Sequence, residues 1–599
     1  MVTDRKLSRF GFRRHDRHPH LAFLPKHILL TAITFLALMA AAPSALAQSL
    51  STPEYSPCGN VSINGGVSSA TMALVWDWGD GNKTTSWFPA THRYTANGEF
   101  TVTVTVVGCH TFSLVTTAEI DNAATPGCPP VGVQTHYYLV PYNIHLTAGT
   151  TSAVPLDVVD QDGNSVSGAL TFEVSGPQDL VSVSEYGYVT ALREENPEGE
   201  AGIWINALLD GHPSLANKAV VRVLPAEYDI PVFTEALGER TGLCYPTSVN
   251  GQDIAAWVSQ FEIPVVNEYS YQIQSRLMGT SPFDGGRQFF EVDLGITESN
   301  RVCGISGNPI RLGWNTAGDP WNPWQNCFLV PFPVWDPPPP LSPQWGVFYH
   351  ELGHNMTWAS SAFATGLGNL RPVGTFDLYS EGFASAIELA AINEITGYPE
   401  KYPLENDATL SMQWIYDRDA SQFTNKRQEW LSGGATFSTV DPDTVDGIWL
   451  HHGAGVPHFA DRFFLPLQPL MIEHLGEVLC QVQAGGDDAK HTFFAALVSA
   501  AAGTDLFDTF AGLYHYPIMP DLYESARTAF SGIIAQRECP GDFNKDGSSN
   551  AADLAVFAVD FGKTGCSVSS CNGDFNTDGD VDGSELAAFI SKFGRADCL

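Results

Sequence analysis

Basic residues are scarce in this 599-residue chain, with 30 Lys and Arg against 66 Asp and Glu. Seven of the basic residues and two of the acidic ones fall in residues 1–47, so the remainder carries 23 against 64, a formal charge of −41. A phosphate-binding surface needs a basic patch that such a chain does not assemble, so nucleic acid is excluded as a partner. Long apolar runs are also missing after residue 47, which leaves no membrane span once the leader is removed. The leader has Arg5, Lys6, Arg9, Arg13, Arg14, Arg17 and Lys26, then the apolar run Ile28 to Ala42, then Ala45-Leu46-Ala47. That order predicts a cleaved secretory signal over 1–47 and a secreted, extracellular or cell-surface protein. The alternative is an uncleaved anchor.

A chain of this length exceeds one hydrophobic core and predicts several domains. Eleven cysteines in an exported chain read as disulfides with one left over. Cys58 is expected to pair with Cys109. Cys539, Cys566, Cys571 and Cys598 sit in the same register of two repeats, so Cys539 with Cys566 and Cys571 with Cys598, or a crossed arrangement, is expected.

Residues 48–125 carry short strands, with an apolar run at Met72 to Trp78, a turn at Gly79 to Asn82 and period-two alternation at Glu99 to Val106. Trp76-Asp77-Trp78-Gly79-Asp80-Gly81, His92-Arg93-Tyr94 and Gly98 to Val102 make this segment resemble the PKD family of immunoglobulin-like sandwiches, which implies presentation rather than chemistry. Residues 130–225, with strand-like runs at Val154 to Val159, Ala169 to Val174 and Ala219 to Val223, resemble a bacterial immunoglobulin-like sandwich. Both are expected to be rigid extensions. From 226 to 536 the elements lengthen. Tryptophans crowd at Trp314, Trp321, Trp324, Trp335 and Trp345, where they pack in a core or line a cleft.

The chemistry centres on His350-Glu351-Leu352-Gly353-His354. Four-residue spacing on a helix puts both imidazoles on one face, within reach of one zinc ion. Glu351 stands where it acts as general base on a zinc-bound water. Val347, Phe348, Leu352 and Met356 form the apolar stripe of that helix. A catalytic zinc takes three protein ligands, and the third histidine of HExxHxxGxxH is missing, because Thr357 and Ser360 occupy its Gly and His positions. Glu381, in Ser380-Glu381-Gly382-Phe383-Ala384 at the start of an apolar helix, is chosen instead, with Asp377 and Glu388 as alternatives. These segments resemble the gluzincin metallopeptidases, which implies a mainly helical α+β zincin domain hydrolysing peptide bonds. The run His350 to Asn355, with Ala501 to Phe507 and Tyr516-Pro517-Ile518, looks most like the enhancin-like and mucin-degrading branch. An oxyanion donor is expected from Tyr398, Tyr402, His451, His452, His458 or His515.

Residues 539–599 hold one acidic pattern twice, 32 residues apart. Asp542, Asn544, Asp546, Ser548, Asn550 and Asp553 recur as Asp574, Asn576, Asp578, Asp580, Asp582 and Glu585, at positions one, three, five, seven, nine and twelve of a calcium loop. One short apolar helix follows each loop, Leu554 to Phe561 and Leu586 to Phe593, and none precedes it. The arrangement resembles a type I dockerin, a small α domain, which implies Ca2+ binding and a cohesin-bearing partner. Ala551-Ala552 and Gly583-Ser584 depart from the positions that select the cohesin. The expectation is a secreted zinc metalloendopeptidase acting on protein or glycoprotein substrates. Its rivals are a zinc aminopeptidase and a non-catalytic adhesion or scaffold protein.

Overall fold

The computed structural model describes residues 49–123, 136–196, 202–210, 215–294, 304–313, 329–331, 341–370, 377–537, 541–542, 548–566, 573, 579–595 and 598, apart from positions 69, 250 and 369. The leader, Trp314, Trp321, Trp324 and Trp335 lie outside the described residues. The architecture is an all-β N-terminal part followed by a mainly helical part.

The first β region pairs a four-stranded antiparallel sheet, ordered Lys83–Thr85, Ala73–Asp77, Gly98–Val107, Phe112–Ile120, with a three-stranded one of Glu54–Ser56, Asn60–Ile63 and Ala90–Arg93. Alternation sends Trp76, Trp78, Val102 and Val104 inward to a core closed by Tyr94. The Trp-Asp-Trp-Gly-Asp-Gly segment is structural here: Asp80 meets His92 at 2.8 Å, and Tyr94 Oη donates to the Trp78 carbonyl. The second β region orders Asn143–Thr147, Ala219–Leu224, Ile203–Leu209 and Leu170–Ser175 in one sheet, with its own apolar core.

The helical part opens with a mixed sheet of β1 (Phe233–Leu237), β2 (Thr241–Pro246), β3 (Gln288–Asp293), β4 (Gly304–Ile305) and β5 (Ile310–Gly313), ordered β1-β2-β3-β5-β4. Strands β2, β3 and β5 run parallel; β4 lies antiparallel to β5 at the edge. Six helices matter for the site: α1 (Ile263–Met278), α2 (Trp345–Trp358), α3 (Leu378–Gly397), α4 (Asn406–Ser432), α5 (Pro442–Gly453) and α6 (Gly476–Ala502). Helix α3 is buried on nearly every side, through Leu378, Phe383, Ile387, Leu389, Ile392 and Ile395, as the central helix of a domain should be. Its N-cap, Asp377, accepts from Ser380 N. Trp345 is fully buried and donates to Ser411 Oγ. No helix among the described residues is long and apolar enough to cross a membrane.

The β regions are bonded to the helical part. Cys109 pairs with Cys480 on α6, a separation of 371 residues, and not with Cys58, which forms a different disulfide. The expected local pair fails because the Gly108–His110 turn abuts the start of α6, where a Cβ on Gly476 would lie 2.8 Å from the Gly108 carbonyl. Ala73, Val75 and Val107 join the core of the helical part, and Lys83 reaches Glu473 at 3.6 Å. Arg222 of the second β region, 3 % exposed, ion-pairs with Glu195 at 2.8 Å and with Asp293 of β3 at 3.2 Å. Arg311 of β5 shares Asp293 and stacks on Trp204 at 5.4 Å. Charges this deeply buried are tolerated only while paired, so the network fixes how region and sheet meet. Cys244 is a buried free thiol.

At the C-terminus the helices span Ala551–Asp560 and Gly583–Lys592. Asn550 and Asp582 cap them in reciprocal boxes with Asp553 and Glu585, and Phe557 stacks on Phe589 at 5.8 Å. Cys566 and Cys598 are each disulfide-bonded. Asn544, Asp546, Asp574, Asn576 and Asp578 lie outside the described residues, as do Cys539 and Cys571; Asp542, Ser548 and Asp580 lie within them.

The long-range disulfide removes conformational freedom from the unfolded chain. Cys480→Ser should destabilise the protein by about 2–4 kcal/mol, seen as a lower thermal midpoint in non-reducing calorimetry. An unchanged midpoint would contradict this.

Candidate metal centre

Helices α2 and α3 place the side chains. Gly353, inside the His-Glu-Leu-Gly-His run, faces α3 so closely that a Cβ would lie 2.6 Å from Ile387 Cγ2 and 2.9 Å from the Ala384 carbonyl. Only glycine permits that approach, and it brings the first turn of α3 up to the two histidines. Glu381 Oε2 then lies 3.2 Å from His350 Nε2 and 3.6 Å from His354 Nε2. One ligand atom from each of the three residues falls within 4.8 Å of the others, and among the described residues no other set of three His, Cys, Asp or Glu converges this way.

The donor set fits zinc. Two imidazoles and a carboxylate are one of the three-ligand sets that zinc takes, and ligand atoms of a tetrahedral ion with bonds of ~2.0–2.1 Å stand about 3.3 Å apart. The observed 3.2 and 3.6 Å bracket that value. The outer nitrogens are held as well: His350 Nδ1 is 3.1 Å from Ser385 Oγ, and His354 Nδ1 is 3.3 Å from Ser380 Oγ. Both serines lie on α3, one residue before Glu381 and four after it. Such outer partners fix ring orientation at metal sites. The exposed indole of Trp358 stacks on His354 at 5.4 Å.

Burial raises the Glu381 carboxyl, but hydrogen bonds from His350 and His354 outweigh it and hold the group at about 2. Glu351 goes the other way. Burial lifts it to about 7, against the opposing pull of His350, with Glu381 adding to the rise and hydrogen bonds from Ser306 limiting it. Ser306 belongs to the loop after β4. At Gly304 a Cβ would lie 2.6 Å from Glu351 Cγ, so this strand runs directly against the carboxylate arm. The loop is pinned on both sides: Asn355 of α2 donates to the Gly307 carbonyl at 2.8 Å, and Asn308 Nδ2 donates to the Ala216 carbonyl of the second β region at 2.8 Å.

His350, Glu351 and Glu381 open into a cleft of about 390 Å³, lined also by Gly304, Gln344, Glu388, Arg418, Asp419 and Asp443. Neither alternative ligand belongs to the converging cluster. Asp377 is spent on the α3 N-cap and on Leu370 N, and Glu388 is buried behind the histidines, 4.0 Å from His350 Nδ1. Burial pushes Glu388 well above the carboxylate range, the nearby Asp419 adds to it, and Arg418 opposes it. Arg418 is bound to Asp419 and to Gln344.

None of the six expected oxyanion donors lines this cleft. Tyr398 and His458 line a separate cavity of about 570 Å³ against the other face of α3. Tyr402 donates to Glu394, His452 contacts Tyr514, and His451 packs on His452; His515 adopts a left-handed backbone. Ser306, Ser380, Ser385 and Arg418 carry no motif that spacing reveals. Ser380 and Ser385 were reachable only as near neighbours of Glu381 on one helix.

Residues 30–196 of the chain match the family described as fimbrial, major and minor subunit. No curated protein matches the chain. A solved structure of three N-terminal domains of the bacteriophage RB49 Highly Immunogenic Outer Capsid protein (Hoc) aligns over 33 % of this chain at 12 % identity, with a TM-score of 0.12; the chain spans 65 % of that structure's length.

Purified full-length protein dialysed against zinc should retain one ion held by this cluster. His354→Ala or Glu381→Ala should weaken its binding by about a hundredfold or more, measured by competition with a chromophoric chelator. Wild-type affinity in either variant would remove that residue from the ligand set.

Proposed function

We propose that this chain is a secreted or surface-displayed zinc metalloendopeptidase that cuts peptide bonds in proteins or glycoproteins. The observation that carries the reading is the convergence of His350, His354 and Glu381 with Glu351 beside them on the wall of an open cleft. Zinc bound there would polarise the substrate carbonyl and lower the pKa of the attacking water. Glu351 accepts the proton of that water and returns it to the leaving amine. Ser306 holds the Glu351 carboxylate by hydrogen bonds, and Gly304 leaves room for it.

The substrate backbone has a place to lie. Among the described residues β4 is the edge strand of its sheet, and an extended substrate peptide is proposed to add alongside Gly304–Ile305. A chain paired there passes in front of Glu351. Among the described residues Arg418 is the Lys or Arg lining the cleft and is the candidate to stabilise the developing oxyanion, in place of the six residues that sequence suggested. The leader, the disulfides and the match to fimbrial subunits support a location outside the cytoplasm. The C-terminal repeat is proposed to bind Ca2+ and to dock a cohesin-bearing partner.

A second reading is favoured by the fimbrial match: an adhesion protein in which the histidine cluster performs no chemistry. Glu351→Ala separates the two. It should abolish cleavage of peptides blocked at both ends, by at least about a thousandfold, while zinc content and thermal midpoint stay at wild-type values. Gly304→Ala should lower kcat by about tenfold, because its Cβ displaces Glu351. Undiminished hydrolysis in Glu351→Ala would end the proposal, and a wild type without activity on any protein substrate would favour adhesion.

A further inference from the structure

We infer that the cavity between the second β region and the loop after β4 is a substrate subsite, selecting an acidic residue a few positions from the bond that is cut. This rests on the peptidase reading and adds a substrate preference to it. The cavity, about 340 Å³, is lined by Trp204, Asn206 and Lys218 from the β region and by Phe283, Ser306 and Gly307 from the catalytic side. Ser306 is the residue that hydrogen-bonds Glu351, so the cavity begins where the catalytic cleft ends.

Continuity places a substrate in it. A peptide paired along β4, the edge strand among the described residues, would leave Gly304, beside Glu351, and run toward Ser306 and Gly307. Four chain steps separate Gly304 from Asn308, at most ~14 Å, so a substrate residue three or four positions from the scissile bond reaches the cavity. The walls are held in advance. Lys218 N donates to the Asn308 carbonyl at 3.0 Å, and Asn308 Nδ2 also donates to the Arg287 carbonyl at 2.9 Å. The Trp204 ring is set by Arg311 at 5.4 Å and by Gly307, where a Cβ would lie 3.6 Å from it.

Charge decides the ligand. Lys218 is exposed and, among the described residues, is the sole charged side chain lining this cavity, in a protein where acids outnumber bases by 66 to 30. On the catalytic side the cleft is lined by Glu381, Asp443 and Asp419, the last bound to Arg418. A bound peptide therefore has Glu381 and the Arg418–Asp419 pair near its reacting centre and the Lys218 ammonium beyond Ser306. An acidic side chain there meets Lys218 with its carboxylate and rests its methylenes on Trp204. Glu173 is the cross-strand partner of Asn206 and carries the opposite charge on the same face, outside the lining. The subsite therefore takes a single acidic residue and not an acidic run.

The test uses the full-length zinc-loaded protein and quenched fluorescent peptides blocked at both ends. A single Glu is scanned through four positions on each side of the cut, with Gln and Lys counterparts. Glu should exceed Gln in kcat/KM by about twofold to fivefold at one position, on one side only, as an exposed ion pair gives. Lys218→Gln should erase that ratio, and Lys218→Glu should turn it toward Lys. The same peptides are titrated onto the Glu351→Gln variant by fluorescence anisotropy, where tighter binding of the Glu peptide should fade with added salt. Hydrolysis with a flat scan, or with a ratio unmoved by both Lys218 variants, overturns the subsite and leaves the peptidase standing. Absence of hydrolysis with Lys218-dependent binding of the acidic peptide overturns the peptidase reading and keeps the subsite. Absence of both overturns both.

Discussion

The contact between α2 and α3 across Gly353 is the constraint on which the site depends. A side chain at that position would meet Ile387 and the Ala384 backbone, and the helices would have to part. Parting them by even a methyl group would carry Glu381 away from His350 and His354, whose separations already match those of a tetrahedral ion. The same contact sets Ser380 and Ser385 against the outer imidazole nitrogens. One helix thus supplies the third ligand and both orienting hydroxyls. It does so from the centre of the core, where close packing holds it rigid.

The proposed general base is positioned from a different direction. Glu351 leaves α2 on the side of the sheet, where Gly304 and Ser306 receive it. Their loop is bonded to Asn355 of α2 and, through Asn308, to Ala216 and Lys218 of the second β region. That region therefore helps hold the loop that receives Glu351. Its orientation is locked by Arg222, Asp293 and Arg311, buried charges whose separation would leave an unpaired ion. The first β region is held to α6 by Cys109 and Cys480.

Behind the histidines the environment is rich in carboxyls. Glu388 and Asp446 are buried and driven well above the ordinary carboxylate range by that burial, with neighbouring acids adding to it. That burial disfavours their charged forms, whereas hydrogen bonds from the two histidines hold Glu381 below the usual carboxylate range. Arg418, fixed by Asp419 and Gln344, is the counterweight in the cleft.

Much of this was legible along the chain. The β regions followed from alternation and turn residues, and the helix carrying His350, Glu351 and His354 from four-residue spacing. Glu381 followed from the apolar helix after it, and the paired repeat from its spacing. These are local properties, set by the period of an element and by what its neighbours allow. The choice of Glu381 over Asp377 and Glu388 was not local, since all three sit on one segment. Helix geometry spends Asp377 on the cap and turns Glu388 behind the histidines. The partner of Cys109, the approach at Gly304, the role of Ser306 and the joining of both β regions to the domain came from tertiary structure alone. Each is a contact between residues tens to hundreds of positions apart, fixed by how preformed surfaces pack, and no pattern within a single element encodes it.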